Sequence, residues 1–208
     1  MITNYHVIEA RDRPLEPAAT PRQFRLQAER AVVWFDYMRE GGDSLECRTA
    51  ELLSSDRNLD YAIVRLVGTE GVLSRYPLPI VREPPKLERG HRLNIVQHSG
   101  GGPMSFAIRN NFYVGIGDSD SFLRYLTDTQ GGASGSPVLN DSWKVIALHH
   151  AATPIPAEYY VSLPQERYRT LPEEVANGEV ITYHNEGISM HAILANLPSE
   201  LCQQILLS

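Results

Sequence analysis

Cysteine is scarce. The 208 residues hold only Cys47 and Cys202, too few for the disulfide framework that staples many secreted domains. Both sit among apolar neighbours and are expected to be buried free thiols, with a single Cys47–Cys202 bridge as the alternative. No run of about 20 apolar residues occurs, so no membrane-spanning helix is expected. No amino-terminal signal sequence is visible, and a cytoplasmic protein without a membrane partner is the expectation. Positive charge is short as well. Lys and Arg number 19 against 25 Asp and Glu, and no basic stripe interleaved with aromatics appears, which argues against a nucleic-acid partner. Zinc-ligand spacing is missing: His149 and His150 are adjacent, with no further Cys/His cluster, so no metal is expected. The glycine-rich Ser99-Gly100-Gly101-Gly102-Pro103 lacks the Gly-Lys-Ser/Thr ending of a phosphate loop and reads as a surface loop beside a structural His98. No cofactor is expected.

What is present is a succession of short β signals. Ala31–Tyr37, Leu45–Leu53, Asp60–Val67, Arg92–His98, Ser105–Ile108, Phe112–Ile116 and Phe122–Leu126 are rich in β-branched and aromatic residues and are separated by turn residues. That pattern predicts an all-β barrel or sandwich. Pro14, Pro17 and Pro21 make residues 11–22 a poor candidate for regular structure, and Leu78–Pro85 reads as a link between two halves. Helical periodicity shows only at the end, in Met190, Ile193, Leu194 and Leu197 and then Leu201, Ile205 and Leu206; Pro198 splits it into two short helices. Asn140-Asp141-Ser142 fits a glycosylation sequon but reads as a hairpin turn.

The most informative stretch is Thr129-Gln130-Gly131-Gly132-Ala133-Ser134-Gly135-Ser136-Pro137-Val138. It sets a serine hydroxyl on a tight glycine turn. Serine is a weak nucleophile unless a base takes its proton and N–H groups stabilise the oxyanion. Glycines let the backbone adopt φ > 0 and aim its amides at a ligand. Upstream, Ile2-Thr3-Asn4-Tyr5-His6-Val7 ends an apolar stretch with a histidine, and Leu59-Asp60-Tyr61-Ala62-Ile63-Val64 opens a strand with an aspartate. The order His6, Asp60, Ser134 is that of chymotrypsin-like proteases. An α/β-hydrolase runs Ser, Asp, His and needs G-x-S-x-G, whereas Ser136 occupies the last position here. Singly, these residues read as a core histidine, a turn aspartate and a hairpin serine. Their order and flanking strands favour the joint reading.

On the segments Thr3–Val7, Leu59–Leu66 and Asp128–Ala152, the last with Gly-Ala-Ser-Gly-Ser-Pro-Val followed by Val145–His150, the chain resembles the bacterial trypsin-like serine peptidases, especially their glutamyl endopeptidase branch. The resemblance implies two antiparallel Greek-key β-barrels, an incomplete first over 1–84 and a second over 85–188, with C-terminal helices over 189–208. It implies peptide-bond hydrolysis by His6, Asp60 and Ser134, with the N–H groups of Gly132 and Ser134 as oxyanion hole. Thr129 and His149 stand where glutamyl endopeptidases line the primary pocket, which leans the specificity to Glu or Gln. Asp128 stands where trypsin has its pocket-floor aspartate, which favours Arg or Lys. Gly187 resembles a pocket-wall glycine, and His150-Ala151-Ala152 an edge strand that pairs with the substrate, Ala152 narrowing the pocket entrance.

The chain departs from that family in two ways. Two strands usually precede the histidine, and nearly all of that is missing here, so an additional segment or partner would complete the first barrel. Ala133, not aspartate, precedes Ser134, and there is no Ile-Val-Gly-Gly start, so zymogen activation by a new N-terminus is not expected. A protein or peptide substrate is the expected partner. The runner-up is a catalytically silent protease-like interaction module in a regulatory or defence assembly.

Overall fold

The computed structural model describes residues 1–11, 15–68, 70–109, 111–116, 119–127, 129–155 and 182–207. Strands Ile2–Thr3 (β1), Val32–Phe35 (β2), Leu45–Asp56 (β3) and Tyr61–Val67 (β4) form an antiparallel sheet in the order β1-β4-β3-β2. The long β3 shifts register against β4 at Thr49/Glu51 and at Leu52/Ser54. Such bulges bend a strand and curl its sheet. The second sheet contains Asn94–Gln97 (β5), Ser105–Ala107 (β6), Tyr113–Ile116 (β7), Phe122–Tyr125 (β8), Pro137–Leu139 (β9), Val145–Ile155 (β10) and Thr182–Ser189 (β11). Its order is β6-β5-β9-β10-β11-β8-β7. Two curled antiparallel sheets with short terminal helices are the two-barrel architecture expected from the sequence. Asn140 makes the β9–β10 turn: its side-chain oxygen accepts from the N–H groups of Ser142 and Lys144, both at 3.0 Å.

The strands form where alternation lets one face be buried. In β8, Leu123 and Tyr125 point into a core with Leu93, Ile95, Val138 and Ile146. A second core joins the barrels, because Tyr61 and Ile63 of β4 pack with Leu139, Leu148 and Ile188 of the second sheet. The helices Met190–Asn196 (here α4) and Ser199–Leu207 (α5), parted by Pro198 as expected, close this core with Met190, Ile193 and Leu194. The Tyr61 hydroxyl donates to Asn196 Oδ1 at 2.6 Å and so ties β4 to the end of α4.

The expectation that helices occur only at the end of the chain is corrected by Tyr5–Glu9 (α1), Pro21–Ala28 (α2) and Glu70–Leu73 (α3). Pro21 starts α2 instead of breaking regular structure. Proline suits the first turn, where its missing N–H would have no partner in any case. Thr20 caps that turn: Gln23 N–H donates to Thr20 Oγ1 at 3.3 Å and Thr20 N–H donates to Gln23 Oε1 at 2.9 Å, a reciprocal capping box. Phe24 stacks on Tyr5 with ring centroids 3.9 Å apart, and with Ala28 it buries against Ile8, Ala62 and Val64. The two helices therefore fix α1 on β4. Cys47 is buried and Cys202 half-buried, and both are free thiols.

Ile193 is completely buried at the point where both barrels meet α4. Ile193→Ala is expected to cost about 2–5 kcal/mol, read as a lower urea midpoint at unchanged slope.

Candidate active site

The start of the chain is pinned to the turn between β3 and β4. Asn4, fully buried, donates its side-chain amide to the Asp60 carbonyl oxygen at 3.0 Å. The main-chain N–H of His6 donates to Asp60 Oδ1 at 2.9 Å, and His6 Nδ1 lies 2.7 Å from Oδ2. Asp60 has φ +48°, a left-handed conformation that Asp adopts more readily than most residues. Burial alone would raise the pKa of this carboxyl. Hydrogen bonds from His150, the His6 ring and the His6 N–H outweigh burial and hold it down at about 2. An ionised carboxylate can only accept, so the contact to Oδ2 requires a proton on His6 Nδ1.

A second imidazole reaches the same carboxylate. His150 Nδ1 is 3.3 Å from Asp60 Oδ2, while its Nε2 is 3.2 Å from Glu186 Oε1. Arg124 Nε donates to Glu186 Oε2 at 3.0 Å. Burial would lower the pKa of His150, but the hydrogen bonds to Asp60 and Glu186 overcome it and raise it. His150, placed on a substrate-pairing strand by the sequence, directs its ring at Asp60 and also lines the cavity beside the serine turn.

Ser134 lies in the tight turn that leads into β9. Gly132 and Gly135 have φ of +88° and +86°. Close approach requires both glycines as well. A Cβ on Gly132 would stand 2.7 Å from Gly100 N, and one on Gly135 would stand 2.6 Å from Thr3 Oγ1. The Ser99–Gly102 loop thus backs the serine turn, and Gly100 N–H donates to the Gly131 carbonyl at 2.7 Å. The Thr3 contact brings the turn against β1, three residues ahead of His6. Gly135 N–H donates to His149 O and His149 N–H to Ser136 O, each at 2.9 Å, so the turn is also stitched to β10. Ala133 N–H donates to Gln130 O at 3.2 Å. Among the described residues, the N–H groups of Gly132 and Ser134 have no hydrogen-bond acceptor, and Ser134 Oγ makes no hydrogen bond.

Beside the turn opens a cavity of about 330 Å³. Of the residues singled out in the sequence, Thr129, Gly132, Ser134, His149, His150 and Ala152 line it. Gly187 is not a lining residue; a Cβ there would meet the Tyr125 hydroxyl at 3.0 Å, so this glycine leaves room for that group. Asp128 lies outside the described residues, as do residues 156–181. His149 is buried, with Nδ1 2.8 Å from the Tyr125 hydroxyl. Burial, then the nearby His150 and His6, lowers its pKa to about 4, so it is neutral at pH 7.

Three contributors escaped the sequence reading. Asn185 accepts from the Thr129 hydroxyl at 2.5 Å and donates to Thr127 O at 2.6 Å, fixing the pocket floor. Tyr125 holds His149, and Glu186 holds His150. The one signal for them was polar Asn185-Glu186 directly ahead of Gly187-Ile188. Their partners depend on the register that sets Asn185 opposite Tyr125 and Glu186 opposite Arg124.

Two curled sheets, with a glycine-bound serine on one and an imidazole–carboxylate pair on the other, define the trypsin-like class. A model of the trypsin-like peptidase domain matches residues 1–148, and the chain belongs to that family. It is 28% identical to the uncharacterized protein y4fB of Sinorhizobium fredii over 97% of this chain and 32% of that protein. It is 30% identical to the secreted RxLR effector protein 73 of Plasmopara viticola over 72% of this chain and 38% of that protein. The chain thus spans about a third of the length of these curated relatives. Among solved structures it superposes on the Rv3671c protease of M. tuberculosis in its active form with TM-score 0.52 and 16% identity, covering 94% of this chain and 66% of that one. A Glu endopeptidase in complex with MPD gives TM-score 0.52 and 15% identity, over 100% and 80% of the two chains. At these identities the structures speak for the fold.

The histidines imprint a pH signature on stability. The unfolded chain binds a proton at His149 near pH 6.5 and the folded chain only near 4, so this residue makes stability rise with pH across that window. His150, raised, works the other way: its contribution is present below its unfolded pKa and fades as pH climbs through the raised value. His149→Gln is expected to remove roughly 2–3 kcal/mol of the stability change between pH 4 and 6.5. Urea unfolding of both proteins at several pH values measures it.

Proposed function

We propose that the chain is a serine endopeptidase acting through an acyl-enzyme. Ser134 Oγ attacks the peptide carbonyl, His6 Nε2 takes its proton and returns it to the leaving amine, and Asp60 holds the ring and stabilises its cationic form. The observation that carries this reading is the His6–Asp60 pair, in which an ionised carboxylate fixes the proton on Nδ1 and leaves Nε2 basic. The Gly132 and Ser134 N–H groups, without protein acceptors among the described residues, suit the oxyanion. Hydroxyl-to-imidazole contacts in substrate-free enzymes are commonly loose and tighten on binding.

The pocket supports a preference for Glu or Gln before the scissile bond. Thr129, Asn185 and His149 supply polar groups, and in the tautomer whose Nδ1 accepts from the Tyr125 hydroxyl, His149 offers Nε2–H to a side-chain oxygen. A neutral His149 receives Gln without a charge change. Glu binds best with uptake of a proton, because a buried carboxylate needs a compensating charge.

The test combines labelling by a serine-directed phosphonate with hydrolysis of short peptides varied at the residue before the cut. Ser134→Ala is expected to abolish labelling and to cost roughly 10⁶-fold in turnover without unfolding the chain. Gly132→Ala, which crowds Gly100 and turns an oxyanion donor away, is expected to cost about 10²–10³-fold. Cutting after Glu should decline from pH 6 to 8 relative to cutting after Gln. Efficient cutting after Arg alone would remove the acidic preference. A folded wild-type chain that takes no label would leave the silent interaction module as the better reading.

A further inference from the structure

We propose that Asn185 is a positioning residue that sets the pocket for a glutamine side chain and against glutamate: by holding the Thr129 proton it leaves the cavity one hydrogen-bond donor and one acceptor, the complement of a primary carboxamide. The inference rests on the serine-peptidase reading and deepens it by choosing between the two side chains that reading allows.

Strand register brings Asn185 to the cavity. In the β10–β11 ladder Gly187 stands opposite His149. A β-bulge then makes His150 an extra residue, so that Ala151 pairs with Glu186 and Ala152 with Asn185. Alternate residues of a strand share a face, and Asn185 therefore lies on the face of β11 that Gly187 presents beside His149. Across the other ladder Asn185 is opposite Tyr125 of β8. The residue that holds Thr129 and the residue that holds His149 are thus cross-strand neighbours. Asn185 is 2% exposed and lines the cavity.

The hydrogen bonds then fix the polarity. The Thr127 carbonyl oxygen can only accept. It takes the Thr129 N–H at 2.8 Å and the Asn185 side-chain nitrogen at 2.6 Å. The Asn185 NH2 therefore faces Thr127, and Oδ1 faces the Thr129 hydroxyl. An amide oxygen has no proton to give, so the hydroxyl donates and keeps only lone pairs for a ligand. The hydroxyl of Thr127, another lining residue, is also committed, to the Leu126 carbonyl oxygen. His149 has the opposite polarity. Tyr125 is fully buried, and among the described residues its hydroxyl has His149 Nδ1 as partner. A buried phenol proton without an acceptor is costly. The tautomer that accepts it carries the ring proton on Nε2, in keeping with a neutral ring. Among the described residues no Lys or Arg lines the cavity, and both ring nitrogens of His150 are taken up by Asp60 and Glu186. A glutamine carboxamide satisfies both groups: its oxygen accepts from His149 Nε2–H and its NH2 donates to Thr129 Oγ1. A carboxylate has no N–H, so its second oxygen meets the Thr129 lone pairs. Turning that hydroxyl toward it would strip the buried Asn185 Oδ1 of its donor.

The test is kcat/KM at neutral pH for peptides that differ only in the residue before the cut: Gln, Glu and the methyl-ketone isostere of Gln, in which CH3 replaces NH2. Phosphonate labelling and circular dichroism accompany each protein. In the wild type Gln is expected to exceed Glu by about 10²-fold and the ketone by about tenfold. The ketone is neutral, so its deficit reads the missing N–H apart from charge. Asn185→Ala frees the Thr129 proton for a carboxylate and should lower the Gln-to-Glu ratio about tenfold. Thr129→Val removes the acceptor at nearly constant shape and should bring Gln and the ketone to parity, whereas Thr129→Ser keeps the oxygen and should preserve their ratio. The wild-type comparison of Gln with the ketone stands even if a variant does not fold. Glu or the ketone cut as well as Gln, a labelled chain that cuts after none of them, or a folded Asn185→Ala chain with the wild-type ratio overturns the role of Asn185 alone. A wild-type chain that takes no label overturns the serine-peptidase reading, and this role with it.

Discussion

The structure turns on one carboxylate. Asp60 is 15% exposed and ionised, and in that setting it must be supplied with donors or give up its charge. Its donors come from distant parts of the chain: the ring and N–H of His6 on α1, and the ring of His150 on β10. Asn4 holds the carbonyl of the same residue. Removing one partner of a buried ionic cluster typically costs several kcal/mol because the rest is left uncompensated. The attachment of α1 to the first barrel and the approach of the second barrel are therefore both coupled to this site.

Backbone proximity does the corresponding work for the serine. The turn is pressed against Thr3 on one side and Gly100 on the other, at separations that exclude a side chain. A residue larger than glycine at 132 or 135 would have to move a loop or a strand of the opposite barrel. The core beneath, with Tyr61, Leu148, Ile188 and Ile193 in contact, keeps the barrels from sliding past one another. The relative position of Ser134 and His6 thus depends on packing that neither residue takes part in.

His149 and His150 show how far environment outweighs residue type. They are chain neighbours with the same intrinsic pKa, yet one is pushed down to about 4 and the other up. Burial acts against the charged form of both. Only His150 meets two carboxylates, and a single bulge in β10 decides which ring does so. One dipeptide thus supplies a neutral ring to the cavity and, beside it, a ring held between two carboxylates.

The β-branched and aromatic runs determined the strands, because a run of that kind can bury one pleated face wherever its partner lies; β2 to β8 fall within or close to the expected segments. The order His6, Asp60, Ser134 and the glycines around Ser134 pointed to the class, since that chemistry needs those groups however the chain connects them. The amino-terminal helices were misread because Pro21 was weighed as a breaker, when the Thr20–Gln23 cap and the face carrying Phe24 and Ala28 make it a helix start. The roles of Asn185, Glu186, Tyr125 and Arg124 were decided only by tertiary structure. They depend on strand register and on the His150 bulge, which bring together side chains far apart in sequence, and no local pattern encodes a pairing whose energy comes from burial shared by both barrels.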